Sequence, residues 1–83
     1  SEMCIRDRAV NTVRNFCYPG TPYAFGERVR RAKAYMNRPD VAALFDDVKP
    51  GDFPAQLGMK LFLMQKKMAF TMCFLFTYVF DRV

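Results

Sequence analysis

The stretch from Leu57 to Phe80, LGMKLFLMQKKMAFTMCFLFTYVF, constrains this chain more than any other feature. Read as one helix of twenty-four residues, it would outrun a hydrocarbon core of roughly 30 Å at about 1.5 Å per residue. Lys60, Gln65, Lys66 and Lys67 interrupt its first half, and each lysine at a bilayer centre costs roughly 2.5 to 3.5 kcal/mol. The uninterrupted apolar run, Met68 to Phe80, has thirteen residues, short of the roughly seventeen that a spanning helix needs. On a helical wheel Lys60, Lys67, Thr71, Tyr78 and Arg82 fall within about 60° of one another. Leu61, Phe62, Met68, Met72, Phe76 and Phe80 take the remaining face.

This pattern predicts an amphipathic apolar helix over 54–80 lying in the plane of an anionic membrane surface. Lys60, Lys66, Lys67 and Arg82 would face the headgroups, with Phe and Met at the acyl boundary. Two alternatives stay open. The same helix packs into protein outside this chain, because the upstream segments offer few large apolar side chains to cover it. If the chain continues past Val83, Met68 onward starts a true span with Lys66-Lys67 on its cytoplasmic side.

Upstream, prolines and glycines divide the chain into helical segments. The run AVNTVRNFCY from Ala9 to Tyr18 is rich in β-branched and aromatic residues without a clear period, so 9–21 reads as a short extended segment and turn. Pro19-Gly20 marks the turn, and Thr21-Pro22 supplies a side-chain cap and a first helical residue. A helix over about 22–37 follows, with Phe25, Val29, Ala32 and Met36 on one stripe and Arg28, Arg30, Arg31 and Lys33 on the rest of its surface. It should stop before Pro39, which disfavours the α region in the preceding residue. A second helix over about 39–48 opens on Pro39 and Asp40 and places Val41, Leu44, Phe45 and Val48 on one face. The expected contact between these two helices pairs Phe25 and Val29 with Val41, Leu44 and Phe45. Lys49 to Pro54 is a loop, and the third helix follows it. The fold class is therefore mainly α, with three helices; 22–53 forms a basic helical pair and loop ahead of the apolar segment 54–83.

Chemistry is thinly represented. The 83 residues contain no histidine, which removes His-based triads, His general bases and His-ligated metals. Asp46 and Asp47 are adjacent, so on a helix they point about 100° apart and read as a solvated helix end rather than a metal pair. PGTPYAFG lacks the lysine and the glycine spacing of a phosphate loop. Cys17 and Cys73 share no short metal-ligand spacing and read as reduced thiols. No catalytic, cofactor-binding or metal residue is expected, and no cofactor.

The charge is more informative. Thirteen Lys and Arg against eight Asp and Glu give a net charge of +5, which favours an anionic neighbour. Arg28, Arg30, Arg31 and Lys33 are candidate anion contacts. The same cluster also suits an ordinary solvated helix face, and no base-reading module is present to suggest a specific nucleic acid.

The octapeptide SEMCIRDR stands apart. Its core resembles a translation of the mosaic-end adapter used in transposase-based sequencing libraries, AGATGTGTATAAGAGACAG, in which ATG TGT ATA AGA GAC encodes Met3, Cys4, Ile5, Arg6 and Asp7. The flanking AG pairs fit Glu2 and Arg8. Residues 1–8 are accordingly expected to add nothing to the fold. Leaving them out removes two charges of each sign, so the net +5 is unchanged. Opening on Ser1, the chain reads as a fragment of a larger protein.

The order of a YPGT turn, the basic helix ERVRRAKAYMNRP, the short helix PDVAALFDDV, a Pro-Gly loop and the Lys-studded apolar helix resembles the C-terminal tail of family 2 glycosyltransferases over about 13–80. The resemblance implies a nucleotide-sugar-binding α/β domain upstream, which would hold the metal-binding acids and the catalytic base. It also implies a place at the cytoplasmic face of the membrane, near lipid-linked or polysaccharide acceptors. This chain would then be a non-catalytic membrane-associating tail. A small membrane-anchored protein or a basic helical adaptor without enzymatic activity are the alternatives.

Overall fold

Helix α1 (Glu2–Cys17) opens a computed structural model that describes residues 2–80, with side chains from residue 4 onward. Its buried residues are Ala9, Val10, Val13 and Cys17, and Ala9, Val13 and Cys17 recur at the four-residue spacing of one helical face. The extended segment expected over 9–21 is therefore corrected to the second half of a helix. Val10, Thr12 and Val13 have strand-like preferences, but packing against α2 and α5 overrides them once residues 2–8 supply the first two turns. Residues 2–8 are also not idle. Arg6 Nε donates to the Leu44 carbonyl oxygen at 2.7 Å and its Nη2 lies 3.4 Å from Asp47.

The Pro19-Gly20 turn forms where expected, closed by Thr21 N–H on the Tyr18 carbonyl at 3.2 Å. Helix α2 (Phe25–Met36) begins three residues after Pro22 rather than at it, with Ala24 as its N-cap and no side-chain cap. Thr21 Oγ1 is buried and takes no hydrogen-bond partner in the structure. At the other end Asn37 caps α2, its Nδ2 donating to the Lys33 carbonyl at 2.8 Å. Ala32 and Met36 are buried, with Phe25 and Val29 half-buried beside them, as the stripe predicts.

The second expected helix is shorter than 39–48. Helix α3 (Pro39–Ala42) gives way to turns through Asp47, tightened by bonds from Leu44 N–H to Val41, Phe45 N–H to Ala42 and Val48 N–H to Phe45. These i to i−3 bonds turn Val41, Phe45 and Val48 into the core together. Gln65 holds the arrangement from outside, its Nε2 donating to the carbonyls of Phe45 at 2.9 Å and Val48 at 2.8 Å. Because α2 packs chiefly on α1 and α5, the expected α2–α3 pairing is only a minor contact. Phe25 instead meets Phe70 edge-on, with ring centroids 5.4 Å apart.

The largest departure lies in the C-terminal segment. The single helix expected over 54–80 is two helices, α4 (Ala55–Gln65) and α5 (Ala69–Tyr78). Lys66 caps α4, Lys67 has φ 56°, and two bonds close the end: Met68 N–H to Leu63 O at 3.0 Å and Lys67 N–H to Met64 O at 3.2 Å. That is a Schellman termination, which ordinarily places glycine in the left-handed position. The break lets Leu61, Leu63 and Met64 of α4 and Ala69, Met72, Cys73 and Phe76 of α5 share one core with α1 and α2. A chain of this length could not bury that surface around a straight helix of more than 30 Å. The shortest extent of the molecule, 20 Å, fits two helix layers of about 10 Å each. Among the described residues the structure is helical, without strands.

Candidate membrane-surface site

Helix α5 is apolar on both sides. Its inward side carries Ala69, Met72, Cys73 and Phe76, and Phe70, Phe74 and Tyr78 recur at i, i+4 and i+8 on the opposite one. Phe70 is 63% exposed and Tyr78 53%. The Phe74 and Tyr78 rings lie 5.0 Å apart, tilted by 51° to each other. Helices that are apolar all round belong in a protein interior or against lipid.

Cations gather at the N-terminal end of this row. Lys67 and Lys33 line one open groove of about 340 Å³ together with Val29, Met68, Ala69, Phe70 and Thr71. Lys33 comes from α2 and Lys67 from the α4–α5 corner, so two residues expected to serve separate roles meet at one place. Lys66 precedes Lys67 and is likewise exposed. The left-handed φ of Lys67 costs a non-glycine residue about 1 to 2 kcal/mol.

The other expected contacts lie elsewhere. Lys60 is half-buried, its ammonium 5.0 Å from the Phe80 ring centroid and 5.4 Å from that of Phe76. Arg28, read as part of the basic surface, is 8% exposed and reaches inward to donate from Nη1 to the Cys17 carbonyl at 2.7 Å. Arg30 and Arg31 both pair with Glu27, and Arg31 also lies 3.9 Å over the Tyr23 ring. Arg82 lies outside the described residues. Of the apolar set assigned to the acyl boundary, Leu61, Met72, Phe76 and Phe80 are buried in the core, whereas Phe62 and Met68 are exposed. Tyr78, expected on the lysine-bearing arc, instead lies in an outward row with Phe70 and Phe74, two residues that the helical wheel does not single out. Their four-residue spacing is the signal in the sequence that marks this row.

Among the described residues no group of three His, Cys, Asp or Glu side chains is placed to hold a metal ion. Asp46 and Asp47 are exposed at the turn after α3, and Asp47 faces Arg6. No described helix is long and apolar enough to cross a membrane. No protein-family model, curated protein or solved structure matches the chain.

Proposed function

We propose that this chain is a non-catalytic helical module that docks on an anionic membrane surface, at the cytoplasmic face, as the tail of a sugar-transferring enzyme of the family 2 glycosyltransferase type. The observation that carries the membrane reading is the exposed row Phe70, Phe74 and Tyr78 with Lys33 and Lys67 at its head. Full burial of a Phe side chain is worth roughly 1.5 to 3 kcal/mol, and each lysine near an anionic leaflet about 1 kcal/mol. The row is held by a folded core, so little side-chain ordering opposes docking. The enzymatic parent rests on the order of sequence segments over 13–80, and the anionic partner on the net charge of +5.

Sedimentation with phosphatidylcholine vesicles, with and without phosphatidylglycerol, tests the surface. The full chain should pellet with the anionic vesicles at low salt and progressively less as salt rises, because screening acts on the lysine contribution. Lys33→Glu with Lys67→Glu should weaken the binding by roughly 2 kcal/mol or more, and Phe70→Ser with Phe74→Ser should remove it. If the chain stays in the supernatant at low salt, the membrane reading fails, and a protein partner becomes the better cover for α5.

A further inference from the structure

A cavity of about 260 Å³ lies between α1, the turn after it and α2, lined by Thr12, Asn15, Phe16, Thr21, Tyr23 and Arg31. Thr12, Asn15 and Phe16 follow the three- and four-residue spacing of neighbours on a helix, so α1 presents them on one side. Thr12 Oγ1 is engaged, donating to the Arg8 carbonyl at 2.8 Å. Thr21 Oγ1 is buried and has no partner, a state that costs stability unless a group from outside the fold meets it. Among the described residues Arg31 is the one charged member of the lining. Its Nε donates to Glu27 Oε2 at 3.1 Å and its guanidinium lies 3.9 Å over the Tyr23 ring, so two contacts hold it in place. Glu27 also pairs with Arg30. One carboxylate thus serves two guanidiniums, and the trio keeps a net positive charge beside the cavity.

We propose that this cavity binds a small aromatic carboxylate, with Arg31 on the carboxylate and Phe16 and Tyr23 against the ring. A guanidinium presents its N–H groups in a plane that matches the two oxygens of a carboxylate. The bond to Glu27 uses Nε, which leaves the Nη groups of the fork for the ligand. Aromatic rings favour offset or edge-on contact with a further ring, and two of the six lining residues supply one. Asn15 and Thr21 add an amide and a hydroxyl among the rings.

Size and charge narrow the ligand. Small-molecule pockets run from roughly 300 Å³ upward, so this one sits at the small end and suits a single ring rather than a lipid chain. A free phosphate has no apolar body to set against Phe16 and Tyr23, and one arginine is a sparse match for its charge. The site is also separate from the proposed membrane surface. Arg31 and Lys33 are two residues apart on α2, which places them about 160° apart around the helix. Lys33 lines the groove with Lys67, and Arg31 lines this cavity. Ligand binding here therefore stands or falls independently of vesicle binding.

Titration of the full chain with sodium benzoate, followed by proton–nitrogen correlation spectra, tests the site. Saturable shifts are expected at the amides of Asn15, Phe16, Thr21 and Tyr23 and at the Arg31 Nε–H, with a Kd on the order of 1 mM. Benzyl alcohol keeps the ring without the charge and should bind about tenfold more weakly. Inorganic phosphate at matched ionic strength should leave these resonances in place. Arg31→Gln should raise the benzoate Kd by about tenfold, and Arg31→Lys, which keeps the charge without the fork, should recover only part of that. Asn15→Trp should fill the cavity and remove binding. Both positions are exposed, so the variants should keep the circular dichroism of the parent chain. The proposal is overturned if benzoate gives no saturable shift at these residues up to about 20 mM. It is equally overturned if benzyl alcohol or phosphate binds as tightly as benzoate, or if folded Arg31→Gln or Asn15→Trp keeps the parent affinity.

Discussion

Gly58 on α4 lies against Pro50, so closely that a Cβ built on the glycine would stand 2.6 Å from the Pro50 carbonyl oxygen. The contact seats the 3-10 turn Pro50–Asp52 on α4. Alanine is ordinarily the better helix residue by about 1 kcal/mol, so a surface-helix rule predicts that Gly58→Ala stabilises. Here the obstacle is backbone, which cannot rotate away as a side chain would. Gly58→Ala should lower stability by roughly 1 to 3 kcal/mol in urea unfolding. A raised midpoint would show that the Pro50–Asp52 turn shifts freely.

Gln65 ties the end of α4 to the turns after α3 through its two short bonds to the Phe45 and Val48 carbonyls. Gln65→Ala should cost roughly 1 to 3 kcal/mol, because two neutral hydrogen bonds are lost at a half-buried position. Gln65→Glu should cost more at neutral pH, since it turns an ionised carboxylate toward two carbonyl oxygens. The folded state then raises the pKa of that carboxyl group above its unfolded value. Stability should accordingly be restored below the unfolded pKa and lost as pH rises through the folded one. Equal stability of the two variants at every pH from 4 to 8 would argue against the bonding seen here.

Lys67 separates stability from function. Glycine adopts its left-handed conformation without the Cβ penalty, so Lys67→Gly should stabilise the fold by about 0.5 to 1 kcal/mol. The same change should weaken anionic vesicle binding by about 1 kcal/mol. Thermal unfolding and sedimentation on one protein read both effects. If stability falls, the lysine side chain contributes to the corner itself.

A chain beginning at Ala9 retains all the buried residues of α1, namely Ala9, Val10, Val13 and Cys17. It lacks the Arg6 bond to the Leu44 carbonyl. The helical signal in circular dichroism should persist, with a loss of roughly 0.5 to 1.5 kcal/mol for the Arg6–Leu44 bond and little more for the contact with the exposed Asp47. A collapse of the unfolding transition would mean that the first two turns of α1 are needed to nucleate the rest.

Local signals in the sequence placed the turn at Pro19-Gly20, the stripe on α2, its end before Pro39 and the loop before α4. Each depends on a residue's own backbone restriction or on the four-residue spacing of its neighbours, so no distant contact is needed to read it. The basic character of Lys33, Lys66 and Lys67 was legible in the same way, because a charge is a property of composition.

Tertiary packing decided the rest. Nothing in QKKM announces a helix end, as the glycine that usually marks one is absent; the chain reverses there because burying Leu61, Leu63, Met64, Met72 and Phe76 together outweighs the strain at Lys67. The same reversal turned Lys60 onto the Phe76 and Phe80 rings and set Lys67 beside Lys33. Burial of Arg28 could not be read from ERVRRAK, since its partners, the Cys17 carbonyl and Thr77, lie 11 and 49 positions away. The sequence by itself determined the helical class, the Pro19-Gly20 turn and the excess of positive charge, all set within a few residues. Which cations meet and which aromatics remain outside were decided only when α1, α2, α4 and α5 closed around one core, because those relations join residues that share no local geometry.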